Sequence, residues 1–124
     1  MKLEEIRRIL NAEVIAGEEE MDKEVYYACG SDLMSDVLAF AKPGALLLTG
    51  LTNIQSVRTA EIADIKAIVY VRGKQPDAAA IKLAKEKKIP LLSTSLRMFE
   101  ACGRLYMAGL RGVGEVEEKI AANK

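Results

Sequence analysis

Three short runs of continuously apolar residues set the narrowest limit on how this chain folds. They are Ala45-Leu46-Leu47-Leu48, Ala67-Ile68-Val69-Tyr70-Val71 and Ile89-Pro90-Leu91-Leu92. None alternates apolar with polar positions, so each is expected to be covered on both faces, as strands of a parallel sheet are. All are strand-sized and far too short to cross a bilayer. Stretches with helical spacing separate them. Strand and helix therefore alternate, which indicates an α/β fold of three layers: a mainly parallel sheet of about 4–5 strands with helices on both faces.

The remaining elements follow from local signals. Leu3, Ile6, Ile9 and Leu10 predict an amphipathic helix over the first ten residues, with Asn11 as its stop. Residues 13–17 read as a short strand and residues 18–22 as an acidic turn. Residues 24–29, with Val25, Tyr26 and Tyr27, read as a further strand broken by Gly30. Ser31 or Asp32 is expected to cap a helix carrying Leu33, Met34, Val37, Leu38 and Phe40. After the turn Lys42-Pro43-Gly44 and the strand at 45–49, residues 53–63 read as a helix with Ile54, Val57, Ile62 and Ala63 inward. Pro76 opens the next helix, and Lys85, Lys87 and Lys88 suit its negative end. Leu96, Phe99, Cys102 and Tyr106 predict a last helix packed by that face. Residues 1–110 are read as one α/β domain and residues 111–124 as a charged C-terminal tail or peripheral helix.

Charge and composition exclude several functions. Eighteen basic residues balance eighteen acidic ones, whereas nucleic-acid binding draws most of its affinity from a basic surplus. No apolar segment is long enough to span a membrane, and the charged start Met1-Lys2-Leu3-Glu4-Glu5 lacks the apolar centre of a signal peptide. The expectation is a cytoplasmic protein with neither nucleic acid nor membrane as partner. The chain has two cysteines, Cys29 and Cys102, and no histidine. It cannot by itself supply a four-ligand zinc or iron–sulfur site, and both thiols are read as core packing. No cofactor or metal is expected, although two chains pooling their cysteines remain an alternative.

Most of the informative polar residues lie in four loops after the apolar strands, where the ligand crevice of an open parallel sheet is found. The candidate ligand-binding residues are Ser31 and Asp32; Thr49 and Asn53; Arg72, Gly73 and Lys74; and Ser93 and Thr94. Glycine allows close backbone approach, hydroxyls and amides supply hydrogen bonds, and Arg72 with Lys74 supplies charge for a small anionic ligand. For each of Ser31, Asp32, Asn53 and Ser95, helix capping is the competing explanation. No catalytic residue is assigned. Without histidine there is no Ser–His–Asp or Cys–His set, and neither GxxxxGK[ST] nor GxGxxG occurs.

The segment Gly30-Ser31-Asp32-Leu33-Met34-Ser35-Asp36-Val37-Leu38-Ala39 is followed by residues 68–73 with Pro76, then by Ile89-Pro90-Leu91-Leu92-Ser93-Thr94 and Phe99. In this order they resemble the DRTGG domain family, from about Leu3 to Gly109. Where many relatives have Thr-Gly-Gly after the fourth strand, this chain has Val71-Arg72-Gly73. The resemblance implies a fold like the N-terminal domain of HPr kinase/phosphorylase. It also implies a non-catalytic regulatory or accessory role, as a homodimer that senses a small anionic ligand, such as a nucleotide, or docks on a partner enzyme. Free-standing relatives of this length resemble proteins encoded near iron-only hydrogenase subunits. The alternative expectation is therefore a hydrogenase-related iron–sulfur or redox accessory subunit, or a small enzyme using the strand-end crevice.

Overall fold

A computed structural model of the chain describes residues 1–114. The chain begins with α1 (Leu3–Leu10) and β1 (Glu13–Ala16), then runs through β2 (Tyr27–Gly30), α2 (Met34–Phe40), β3 (Leu46–Thr49) and α3 (Ile54–Ile62). It continues through β4 (Ala67–Tyr70), α4 (Ala78–Lys87), β5 (Leu91–Ser93), α5 (Met98–Met107) and β6 (Arg111–Gly112). The six strands form one sheet in the order β1-β5-β4-β3-β2-β6. All neighbouring pairs are parallel except β1 with β5, so the sheet is mostly parallel, as expected. The strand count exceeds the expected four to five because of two-residue β6, which is too short to leave a sequence signal. Since β6 lies within residues 111–124, the sheet reaches past the expected boundary at residue 110. Residues 115–124 of that segment lie outside the described residues.

The path from β2 to β5 moves over one strand at each step in the same direction. With crossovers of constant hand, the intervening helices fall on one face of the sheet. The core shows this: Val37 of α2, Val57 and Ala60 of α3, and Ala80 and Ala84 of α4 are buried with Leu47, Ile68, Tyr70 and Leu91. The opposite face is covered by Leu3, Ile6 and Leu10 of α1 and by Ala101 and Leu105 of α5, against Leu46, Leu48, Val69, Val71 and Leu92. Strand residues thus alternate between two apolar layers, which is why their sequences show no polar alternation. Full burial of a side chain such as Leu3, Ile6 or Leu10 is worth about 1.5–3 kcal/mol. α1 ends at Asn11, in a left-handed conformation at φ 48°.

Several expected details differ. Only residues from Tyr27 onward join the sheet as β2; upstream, the Val25 amide donates to Met1 O at 2.9 Å. That strap lies beside the start of α1, and propensity alone cannot separate it from the strand. α4 begins at Ala78 after the N-cap Asp77, so Pro76 precedes the helix rather than opening it. Ile62 and Phe99, read as inward, are 72% and 87% exposed. The helix α5 is buried instead through the smaller Ala101 together with Leu105, because Phe99 and Tyr106 lie on its outer side. Both cysteines are half-buried rather than core. Cys29 packs with the α2–α4 layer and Cys102 with the α1/α5 layer.

A buried hydroxyl chain ties β4 to α3. Tyr70 is fully buried, and its Oη lies 2.9 Å from Ser56 Oγ. Ser56 Oγ donates its one proton to Asn53 O at 2.8 Å, so the Tyr70 hydroxyl donates to Ser56. Removing Ser56 strands a buried phenol, whereas removing the phenol leaves Ser56 bonded. Ser56→Ala is therefore expected to cost about 1–3 kcal/mol and Tyr70→Phe about 0.5–1.5 kcal/mol. Urea unfolding of both variants checks the order; Tyr70→Phe proving the more damaging would contradict it.

Candidate functional site

The strand-end loops meet at the carboxyl edge of the sheet, but their polar groups serve two purposes. Between β4 and β5 the loops bond to each other. The Arg72 amide donates to Leu96 O at 2.7 Å and the Gly73 amide to Thr94 O at 2.9 Å. Ser93 Oγ donates to Lys74 O at 2.7 Å and accepts from Gln75 Nε2 at 3.3 Å. Thr94 is buried, with its hydroxyl donating to Leu10 O at 2.7 Å, which anchors the end of α1 to the sheet. α4 and α5 leave toward opposite faces, so this is the topological switch point, where ligands are usually found in such sheets. Here Ser93, Thr94 and Gly73 are spent on structure. Thr94 in particular has its hydroxyl proton committed to α1.

The loops of β2, β3 and β4 are arranged differently. Asp32 Oδ1 accepts from the Gly50 amide at 2.6 Å and from Thr49 Oγ1 at 3.2 Å. Arg72 Nη2 lies 3.6 Å from Asp32 Oδ2. Three loops are thereby joined at one carboxylate that is itself half-exposed. Arg72 adopts φ 63°, a left-handed conformation that costs a residue with a β-carbon about 1–2 kcal/mol. Its guanidinium lies directly over Gly50, and a β-carbon added to Gly50 would overlap it. The absence of a side chain at Gly50 is what lets the arginine cross β3.

Asp32 therefore does not cap α2. The N-cap is Leu33, whose amide is bonded by Ser31 Oγ at 3.0 Å, and this leaves the aspartate side chain to reach across to β3. Asn53 does cap α3, its Oδ1 accepting from the Gln55 amide at 3.0 Å. Of the sequence candidates, then, Asp32, Thr49 and Arg72 come together. Ser31 and Asn53 act locally, and Lys74 contributes its carbonyl to the β4–β5 closure. Gly50 belongs to the cluster and was not among the candidate site residues. Its only sequence signal is a glycine directly after a buried strand, which also reads as a simple strand stop.

Burial raises the pKa of three groups, Tyr70, Cys29 and Cys102. Tyr70 is pushed up, mainly by burial. The Cys29 thiol is pushed up to about 11, mainly by burial and further by nearby Cys102. Cys102 is raised by burial as well. Neither is an activated thiolate, since reactive cysteines have lowered values. Among the described residues, no group of three or more Cys, Asp or Glu side chains gathers to hold a metal ion, and no helix is long and apolar enough to cross a membrane.

A depression of about 440 Å³ lies at the other end of the sheet and includes Lys23, Lys66, Lys87 and Lys88 with Glu61 and Asp64. Lys87 is paired with Glu61 at 3.2 Å. Its charge is carried by flexible side chains of both signs, with no converging set of donors. The strand-end cluster instead brings a backbone amide, an oriented hydroxyl and a guanidinium to one point, so it is the better candidate for specific recognition.

The crystal structure of the CBS and DRTGG domains of the regulatory region of Clostridium perfringens pyrophosphatase, complexed with its activator diadenosine tetraphosphate, has a similar fold. The match has a TM-score of 0.64 at 20% identity and covers 82% of this chain and 44% of that one. The chain thus spans less than half the length of that structure. No curated protein sequence matches it. The family model of the DRTGG domain matches residues 5–108, and the chain belongs to the DRTGG domain family.

Proposed function

We propose that this chain is a non-catalytic regulatory domain that senses a small phosphate-bearing ligand, foremost a nucleotide, through the loops after β2, β3 and β4. The observation that carries the reading is Arg72, held in a left-handed conformation with its guanidinium laid across Gly50. A strained, half-exposed arginine beside backbone amides suits phosphate recognition by charge-assisted hydrogen bonds. The nucleotide class is supported by the pyrophosphatase regulatory region of similar fold, which was crystallised with a dinucleotide activator. That region also supports a role beside a partner enzyme. The absence of histidine from the sequence and the lack of an activated thiol favour sensing over catalysis. The hydrogenase-related alternative rests on resemblance alone. The two thiols face opposite layers of the sheet, an arrangement that does not favour a shared metal within one chain.

The reading includes a homodimer in the cytoplasm. β6 pairs only with Tyr27 and Ala28, so one edge of Cys29 and Gly30 has no strand partner among the described residues. Phe40, 63% exposed, flanks this edge on the α2 side, and Tyr106, 50% exposed, flanks it on the α5 side. A strand edge without a strand partner among the described residues, lying between exposed aromatics, suits a two-fold partner, and zero net charge does not oppose pairing.

Two measurements test these proposals. In a thermal-shift series with ADP, ATP and diadenosine tetraphosphate, at least one should raise the melting temperature of the wild-type chain, and Arg72→Ala should weaken binding about tenfold or more. No response to any of the three, or full binding by Arg72→Ala, would overturn the ligand reading. By light scattering, the wild-type chain should be a dimer and Phe40→Glu mainly a monomer. A wild-type monomer would remove the dimer.

A further inference from the structure

We infer that Asp32 is a built-in occupant of an anion seat, so that the regulatory ligand must displace the protein's own carboxylate before it can bind. This deepens the reading of the strand-end loops as the ligand crevice and rests on it.

Three donors of different kinds, from two loops, converge on the Asp32 carboxylate. They are the Gly50 amide at 2.6 Å, the Thr49 hydroxyl at 3.2 Å and the Arg72 guanidinium at 3.6 Å. The Thr49 hydroxyl is already oriented, because its oxygen accepts from the Leu51 amide at 3.1 Å and its proton is left to point at Asp32. An amide, a hydroxyl and a guanidinium form a set that holds a phosphate or carboxylate oxygen equally well. Asp32 has no other task there: Leu33 is the N-cap of α2, and Ser31 serves its amide.

The contacts are also weak enough to exchange. The Arg72 and Asp32 side chains are 46% and 50% exposed, and an ion pair of that exposure contributes little net stability. The short Gly50 contact is the firmer one, yet its amide is solvent-accessible and would be rehydrated or taken by an incoming anion. When Asp32 swings out toward solvent, the proton of the buried Thr49 hydroxyl loses its partner, so displacement is favourable only when an incoming anion takes that place. The negative charge of Asp32 repels a competing anion while the side chain stays in place, which sets a threshold ligand concentration for occupancy.

The test uses the full chain and inorganic phosphate at constant ionic strength, with binding read from melting temperature. Asp32→Ala should bind phosphate about tenfold more tightly than wild type. The gain should vanish in Asp32→Ala/Arg72→Ala. Asp32→Asn, which keeps the shape and removes the charge, should show a smaller gain and keeps the test open if the alanine variant does not fold. Phosphate affinity unchanged in both Asp32 variants, or a gain that survives loss of Arg72, would overturn the inference. Wild type binding nucleotide through Arg72 while Asp32→Ala gains nothing would leave the crevice standing and dismiss the built-in occupant. Phosphate uptake by Asp32→Ala with no nucleotide bound by wild type would do the reverse.

Discussion

Parallel hydrogen bonding of β2, β3, β4 and β5 forces the chain to return across the sheet after every strand, so all four strand ends open at the same edge. That one constraint gathers Asp32, Gly50 and Arg72, from three separate stretches of sequence, within reach of one carboxylate. It also explains the apolar strands, since a sheet crossed by helices on one face and covered by α1 and α5 on the other has no wet side. The loops inherit their positions from a core that buries strand residues on both layers, and the cluster sits on a rigid base.

Not all strand ends remain available, and the difference is a matter of hydrogen-bond accounting. Around β4 and β5, main-chain amides and the Ser93 hydroxyl find partners in the adjoining loop, and Thr94 is tied to α1. Around β2 and β3, the acceptor for both the Thr49 hydroxyl proton and the Gly50 amide is a single charged side chain. The first arrangement is closed by backbone geometry. The second depends on one rotatable carboxylate, which is why recognition and its control are both assigned to the second.

The sequence made the helix–strand alternation legible because apolar strands and the Leu3-Ile6-Leu10 stripe have unmistakable periods. It was less clear where side-chain size competed with helix phase. In α5 the buried positions are Ala101 and Leu105, while the larger Phe99 projects outward, so reading the bulkiest residues as core chose the wrong face. The site was half legible. Polar residues after apolar strands pointed to the right edge, but Asp32 before a helix reads as a cap. Its partner Gly50 lies 18 residues away, a distance at which only the parallel register of β2 and β3 brings them together. The Tyr70–Ser56 bond was hidden for the same reason: each residue fits its element without reference to the other.

Recognition belongs, on this reading, to the carboxyl ends of the strands rather than to the lysine-lined depression at the opposite end. Amide chemical shifts of the full chain, followed by NMR as ATP is added, separate the two most directly. Progressive shifts are expected at Gly50, Leu51 and Gly73, with Gly44, Asp64 and Lys88 unmoved. Shifts centred on Gly44, Asp64 and Lys88, with Gly50 unaffected, would contradict it.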